Sequence, residues 1–191
     1  MAAVENFRNA LKASHIGESV IAQIMQGYDK ITDRAPKEKK AAFFAQAMTR
    51  MDRLLEPGTY RAIRDACACS KGGWRLSAVQ KLAKEYEGKP LEEKVQALGR
   101  VTHMGKPTLN DDGTITEGIG GEDGCPCACP VFSGSAFPEP VSMTYCYCCA
   151  GHFRHHYQIA LGKRLITKRV ASSALESLER RPCRFIFEIV G

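Results

Sequence analysis

The sequence predicts an α+β fold, with a helical N-terminal half followed by a small antiparallel sheet and a long helix packed on it. Three observations predict it. Apolar residues recur at helical spacing through roughly the first hundred residues. Gly, Pro, Asp and Thr then crowd the stretch from Gly105 to Pro140. Beyond it, one apolar stripe at helical spacing leads into two segments that read as strands. On this basis the chain divides into a helical region, residues 1–104, and a cysteine-rich α+β region, residues 105–191.

Each element has a local reason. Val4, Phe7 and Leu11 share one helical face, as do Val20, Ile21, Ile24, Met25 and Tyr28. Pro36 suits a first helical turn, and Phe44, Met48, Met51, Leu54 and Leu55 follow it. Pro57-Gly58 is expected to stop that helix, and a short one through Tyr60 and Ile63 runs into Cys67. Leu76, Val79, Leu82, Ala83 and Tyr86 make another helix, closed by Gly88; Leu91, Val95 and Leu98 make one more. Asn110-Asp111-Asp112-Gly113 is a turn between short strands at 108–109 and 114–116. A helix is expected from near Tyr145 to Gly162, buried along Cys146, Ala150, Phe153, Tyr157, Ala160 and Leu161. Residues 164–171 and 183–190 read as strands, with Cys183, Phe185, Phe187 and Ile189 on one face.

Composition excludes several classes. At 191 residues, 44% hydrophobic and 25% charged, the chain is ordinary globular material that needs no disulfide staple. No run approaches the length of a membrane span, and MAAVENFRNALK lacks the apolar core of a secretory signal. A cytoplasmic location is expected, with no membrane partner. The formal charge of +6 invites a nucleic-acid reading, but the basic residues are scattered and no binding motif is present. Eight ionised thiols on two divalent metals would bring that charge down to about +2.

Nine cysteines remain to be explained. Eight fall in three tight groups: Cys67 and Cys69; Cys125, Cys127 and Cys129; and Cys146, Cys148 and Cys149. Cys183 stands alone. An odd count in a reducing compartment argues against a disulfide framework. Packing gives no reason to cluster thiols at C-x-C spacing in Gly- and Pro-rich loops. Metal coordination does, because closely spaced thiols share the ordering cost of one loop. These eight are the candidate metal ligands. The spacing matches neither the common zinc pattern nor a ferredoxin run; zinc leads because thiolate sites in cytoplasmic proteins often hold it, with an iron–sulfur cluster the alternative. Cys67 and Cys69 are expected to join the region of the other thiols, because two sulfurs cannot complete a tetrahedral site.

Some of these residues have equally plain roles. Cys146 lies on the apolar stripe and is also a core candidate; Cys183 shares its face with Phe185 and Phe187. Cys148 falls opposite the stripe, where packing explains it badly. His152, His155 and His156 read as an interfacial polar face, with His152, one turn from Cys148 and Cys149, the best candidate to touch a bound group. His15 and His103 are expected in loops or at the surface. The single tryptophan, Trp74, follows Gly72-Gly73 near Cys69 and is the second cofactor-binding candidate, as a shield against water. Gly118-Ile119-Gly120-Gly121 is a flexible approach to the cysteines rather than a phosphate loop.

The run Tyr147-Cys148-Cys149-Ala150-Gly151-His152, the close at Leu161-Gly162-Lys163, a strand, and then Pro182-Cys183-Arg184-Phe185-Ile186-Phe187 resemble the vinyl-4-reductase-type domain over residues 144–190. That domain is related to small-molecule-sensing input domains, to TRAPP-type trafficking subunits and to the L-2-amino-thiazoline-4-carboxylic acid hydrolases. The whole chain resembles a bacterial cysteine-rich family of unknown function, through Cys67/Cys69, Cys125/Cys127, Thr144 to Cys148 and Cys183 to Phe185. It departs from the domain at Val170-Ala171-Ser172-Ser173, where another cysteine is usual. The expected function is a metal-thiolate module that binds or senses a small molecule. The alternatives are a metal-dependent hydrolase or an iron–sulfur redox protein, and a purely structural role is a third. A small-molecule ligand and a second copy of the chain, as a homodimer, are the partners left open.

Overall fold

The computed structural model describes residues 2–69, 71–120, 125–135 and 137–190. The α+β expectation holds. Six helices come first: α1 Ala3–Ala13, α2 Glu18–Met25, α3 Lys37–Leu54, α4 Pro57–Ala66, α5 Gly73–Glu85 and α6 Leu91–Leu98. The strands β1 Thr108–Leu109 and β2 Ile115–Ile119 follow, then a 3₁₀ turn Met143–Cys146, α7 Tyr147–Leu161, β3 Arg164–Ser172 and β4 Cys183–Val190. Every neighbouring pair in the β1-β2-β4-β3 sheet is antiparallel.

Pro57-Gly58 does something other than stop a helix. α3 already ends at Leu54, and Pro57 opens α4 at a position where its missing N–H is no loss. The β1–β2 hairpin closes as its sequence requires: Gly113 takes φ 77°, and Asp112 Oδ1 accepts from the Thr114 backbone N–H at 3.0 Å. Gly162 ends α7 in the left-handed conformation at φ 63°.

One apolar core runs from Val4 and Phe7 in α1 to Phe185 and Phe187 in β4. Tyr145 joins its two halves. Its ring meets Phe44 of α3 at 5.3 Å and Phe132 of the cysteine-rich loop at 4.8 Å. On the other side of α7, Phe153 and Tyr157 pack on Phe185 and Phe187, at 5.9 and 5.8 Å. The N-terminal end of α7, which carries Cys148, Cys149 and His152, therefore sits between the helical half and the sheet.

A candidate thiol site at the start of α7

Arg64 organises the site. It lies on α4, 2% exposed, with Nη2 donating to the Tyr145 carbonyl at 3.1 Å. Its guanidinium lies over the rings of Tyr145 at 4.6 Å and of Phe7 and Phe44 at 5.5 Å. Burial works against this charge. Cys148, Cys67, Tyr145 and Cys129 surround it and together hold the guanidinium firmly protonated.

Cys148 is the counterpart. A hydrogen bond from Cys149, then the charge and hydrogen bonding of Arg64, bring its thiol down to about 6 against the cost of burial. Its place in the first turn of α7 adds helix N–H groups that favour a thiolate. Cys149, half-buried, gives that hydrogen bond and is pushed up by it and by desolvation. The two thiols act as one unit that sheds a single proton near neutral pH.

The other cysteines fall around this pair. Burial raises Cys129, whose Sγ is 3.2 Å from the Tyr145 hydroxyl. Burial also raises Cys67, which caps α4 and donates to the Ile63 carbonyl at 3.2 Å. Cys146 shares a hydrogen bond with the free thiol of Cys183 and lies 3.0 Å from Ser173 Oγ. That bond, with the Ala174 N–H at 3.4 Å, brings Cys183 down to about 7 despite burial. Burial pushes Cys127 up to about 12, and its backbone N–H is held by Glu179 Oε1 at 2.8 Å. Cys125 is 2% exposed beside Gly120.

A cavity of about 430 Å³ opens beside this cluster, lined in part by Cys69, Cys149, His152 and Phe153. His152 Nδ1 is 2.8 Å from the Cys69 carbonyl, which can only accept, so Nδ1 carries the proton and Nε2 keeps its lone pair. Burial lowers this imidazole to about 4, so it is neutral at pH 7. His155 Nε2 donates likewise to the Lys71 carbonyl at 3.2 Å. The histidine run thus pins the segment after α4 onto α7, an interfacial role as expected. His103 lies at the cavity wall and Trp74 stands outside it. The indole is 53% exposed, 5.5 Å from the His103 ring, with Arg75 over its face at 4.9 Å.

The fold therefore brings together the predicted residues Cys67, Cys129 and Cys148 around Arg64, with Cys149 on Cys148, and Cys69, Cys149 and His152 around the cavity. Cys146 and Cys183 form their own pair. Among the described residues, no three His, Cys, Asp or Glu side chains stand as a ready-made metal-ligating group. Gly121, in the expected flexible approach, lies outside the described residues.

Three site residues were missed from sequence. Arg64 is i−3 to Cys67, the spacing that places a cation over a neighbouring thiol on a helix. Glu117 is in phase with the buried Ile115 on β2, which puts a carboxyl on an inward face. It is fully buried and raised to about 7 by that burial, and the Tyr157 hydroxyl bridges it to the Met104 carbonyl, the latter at 2.6 Å. Glu179 offered no local signal. No protein family, curated protein or solved structure matches the chain.

Proposed function

We propose that the chain is a cytoplasmic metal-thiolate protein, with zinc as its metal, that binds a small molecule in the cavity beside the thiols. One observation carries this reading. Thiols from α4, the cysteine-rich loop and α7 gather around one buried guanidinium, and Cys149, hydrogen-bonded to Cys148 of that gathering, also lines the cavity. The donor chemistry suits zinc. Cys148 is ready as a thiolate, and the neutral His152 keeps Nε2 for a metal. Cys129, Cys148, Cys149 and His152 are the residues that would hold it, and they would have to close together to do so, since they do not stand as a ready-made group. A bound zinc supplies positive charge that keeps thiols deprotonated and, where a position stays open, polarises a ligand. Arg64 balances the thiolate charge, and the Cys69 carbonyl fixes the His152 tautomer. Reduced thiols in this number fit a reducing compartment. The order α7, β3, β4 is also the element order of the vinyl-4-reductase-type resemblance, whose relatives include small-molecule sensors.

The test is elemental analysis of anaerobically purified protein, with its visible spectrum. About one equivalent of zinc in a colourless protein is expected, and a Cys148→Ser, Cys149→Ser variant should lose it. Less than about a tenth of an equivalent of zinc and iron together would overturn the metal reading. A brown protein absorbing broadly near about 400 nm would replace zinc by an iron–sulfur cluster.

A further inference from the structure

Two cavities meet at Gly105, Gly118 and Gly120: the one beside the thiols and a second of about 420 Å³ whose walls include Lys106, Thr108, Thr116 and Arg184. Their charges are one-sided. Arg75 lines the first, Lys106 and Arg184 the second, and no carboxylate lines either among the described residues. The ion pairs among the described residues, Arg154 with Asp65 and Arg181 with Glu176, leave all three cations out. The buried Glu117 carboxyl behind Gly105 feels Arg184 but makes no ion pair with it, so cations outnumber anions on this concave surface and favour an anionic ligand there.

We propose that these joined cavities bind a small molecule bearing an oxyanion, with the acid group between Lys106 and Arg184 and the body running past the glycines toward Arg75 and Cys149. The inference rests on the small-molecule part of the proposed function and not on the metal. Arg184 is the main anchor. Its Nη1 donates to the Cys183 carbonyl at 3.0 Å, which leaves further N–H groups of the fork for a carboxylate or phosphate. Gly118 makes room for it: a Cβ there would stand 2.2 Å from Arg184 Nη1, so a side chain on β2 would push the guanidinium away. Thr116 Oγ1 already accepts from Asn110 Nδ2 at 2.8 Å, so its own hydroxyl proton remains to be given. Thr108 pairs with Thr116 across the hairpin and brings a second hydroxyl to the same wall. The glycines at the waist let the ligand lie against backbone.

The experiment is calorimetric titration of the full chain with inorganic phosphate and, separately, with malonate, at an ionic strength held constant with chloride. Zinc and iron content are measured on the same sample. Saturable binding of at least one anion is expected, weakened about tenfold in Arg184→Gln, where a charge-assisted hydrogen bond is lost. Lys106→Gln, an exposed position that leaves the fold intact, should weaken it by a smaller factor, and Gly118→Ala should weaken it with no change in charge. Phosphate alone would name phosphate esters as the ligand class, and malonate alone carboxylic acids. No saturation with either anion, or wild-type affinity in both Arg184→Gln and Lys106→Gln, would overturn the inference. So would binding lost in Cys148→Ser but kept in Arg184→Gln, because the anion would then sit on the metal. Anion binding by a protein that holds no metal would keep this inference and defeat the metal reading.

Discussion

Gly151 of α7 lies so close to Asp65 of α4 that a Cβ on the glycine would stand 2.8 Å from Oδ1 and 3.0 Å from the backbone oxygen of Asp65. This contact sets how near Cys148 can come to Arg64, because both pairs span the same two helices. Arg154, three residues along α7, fastens it by holding Asp65 through Nε at 3.0 Å and Nη2 at 2.5 Å. The backbone oxygen cannot move aside as a flexible side chain could. Gly151→Ala should therefore cost about 1–3 kcal/mol, as overpacking does. Gly58→Ala is the control: it lies in α4 with nothing near its Cβ, and should gain up to about 1 kcal/mol from helix propensity. Urea unfolding of the two variants gives opposite signs if the close approach is real.

Where apolar spacing decides an element, the sequence reads it correctly. Val4, Phe7 and Leu11 lie in α1, and Cys183, Phe185 and Phe187 are buried on one face of β4. Gly162 ends α7 because a left-handed residue is a local need with a local signature. The site was legible only in part. Clustered thiols marked where chemistry could be, but the cation beside Cys148 is Arg64, 84 positions earlier in the chain. A buried arginine looks like a surface one until the thiols and rings around it are known. Pro57 misled because the same residue can end one helix or begin the next, and the loop between α3 and α4 is too short to separate the two.

Glu117 gives the fold a pH dependence. Burial raises its carboxyl from an ordinary 4.5 to about 7, so the folded state prefers the protonated form. The unfolded chain releases that proton first as pH rises. Stability therefore falls between about 4.5 and about 7 and is level outside that window, by up to on the order of 3 kcal/mol. The Met104 carbonyl takes the Tyr157 hydroxyl proton, so a protonated Glu117 can donate to Tyr157 in turn. Glu117→Gln keeps a donor and an acceptor there and removes the titration. Its melting temperature, compared with wild type from pH 4 to 8, should gain steadily up to about pH 7 and then hold a constant lead. Equal slopes for the two proteins would show that Glu117 does not titrate in this range.

Arg64→Met keeps the length and apolar packing of the stem and removes the charge. Cys148 then loses its cation, and the Tyr145 carbonyl loses a donor. The thiolate that forms near pH 6 in the wild type should appear at least about one unit higher, as followed by ultraviolet absorbance of thiolate during a pH titration. Removing one partner of a buried ionic contact should also destabilise the fold by about 3–5 kcal/mol when Cys148 is ionised. A Cys148→Ser background should recover part of that loss, because no thiolate is left unpaired. An unchanged titration in Arg64→Met would mean that Cys149 alone holds the thiolate.

Glu179 fixes the cysteine-rich loop from outside it. Its carboxylate accepts from the Cys127 backbone N–H at 2.8 Å, and its own N–H donates to the Ala174 carbonyl at 2.6 Å. The chain reaches this position through two successive left-handed residues, Leu178 at φ 53° and Glu179 at φ 61°. Side chains other than glycine adopt that region at a cost, so the contact to Cys127 must outweigh it. Two substitutions separate tether from charge. Glu179→Ala removes the acceptor and should release the loop, costing about 1–3 kcal/mol and exposing the thiols of Cys127 and Cys129 to alkylation. Glu179→Gln keeps a carbonyl oxygen for the N–H and so keeps the loop in place. It also removes a negative charge that, after burial and the neighbouring thiols, helps hold the Cys127 thiol up. In Glu179→Gln the Cys127 thiol should titrate lower than in wild type while its alkylation in the folded state stays slow. Fast alkylation in both variants would make the charge, not the hydrogen bond, the tether; slow alkylation in both would show that Pro126, Pro130 and the packing of Phe132 hold the loop without Glu179.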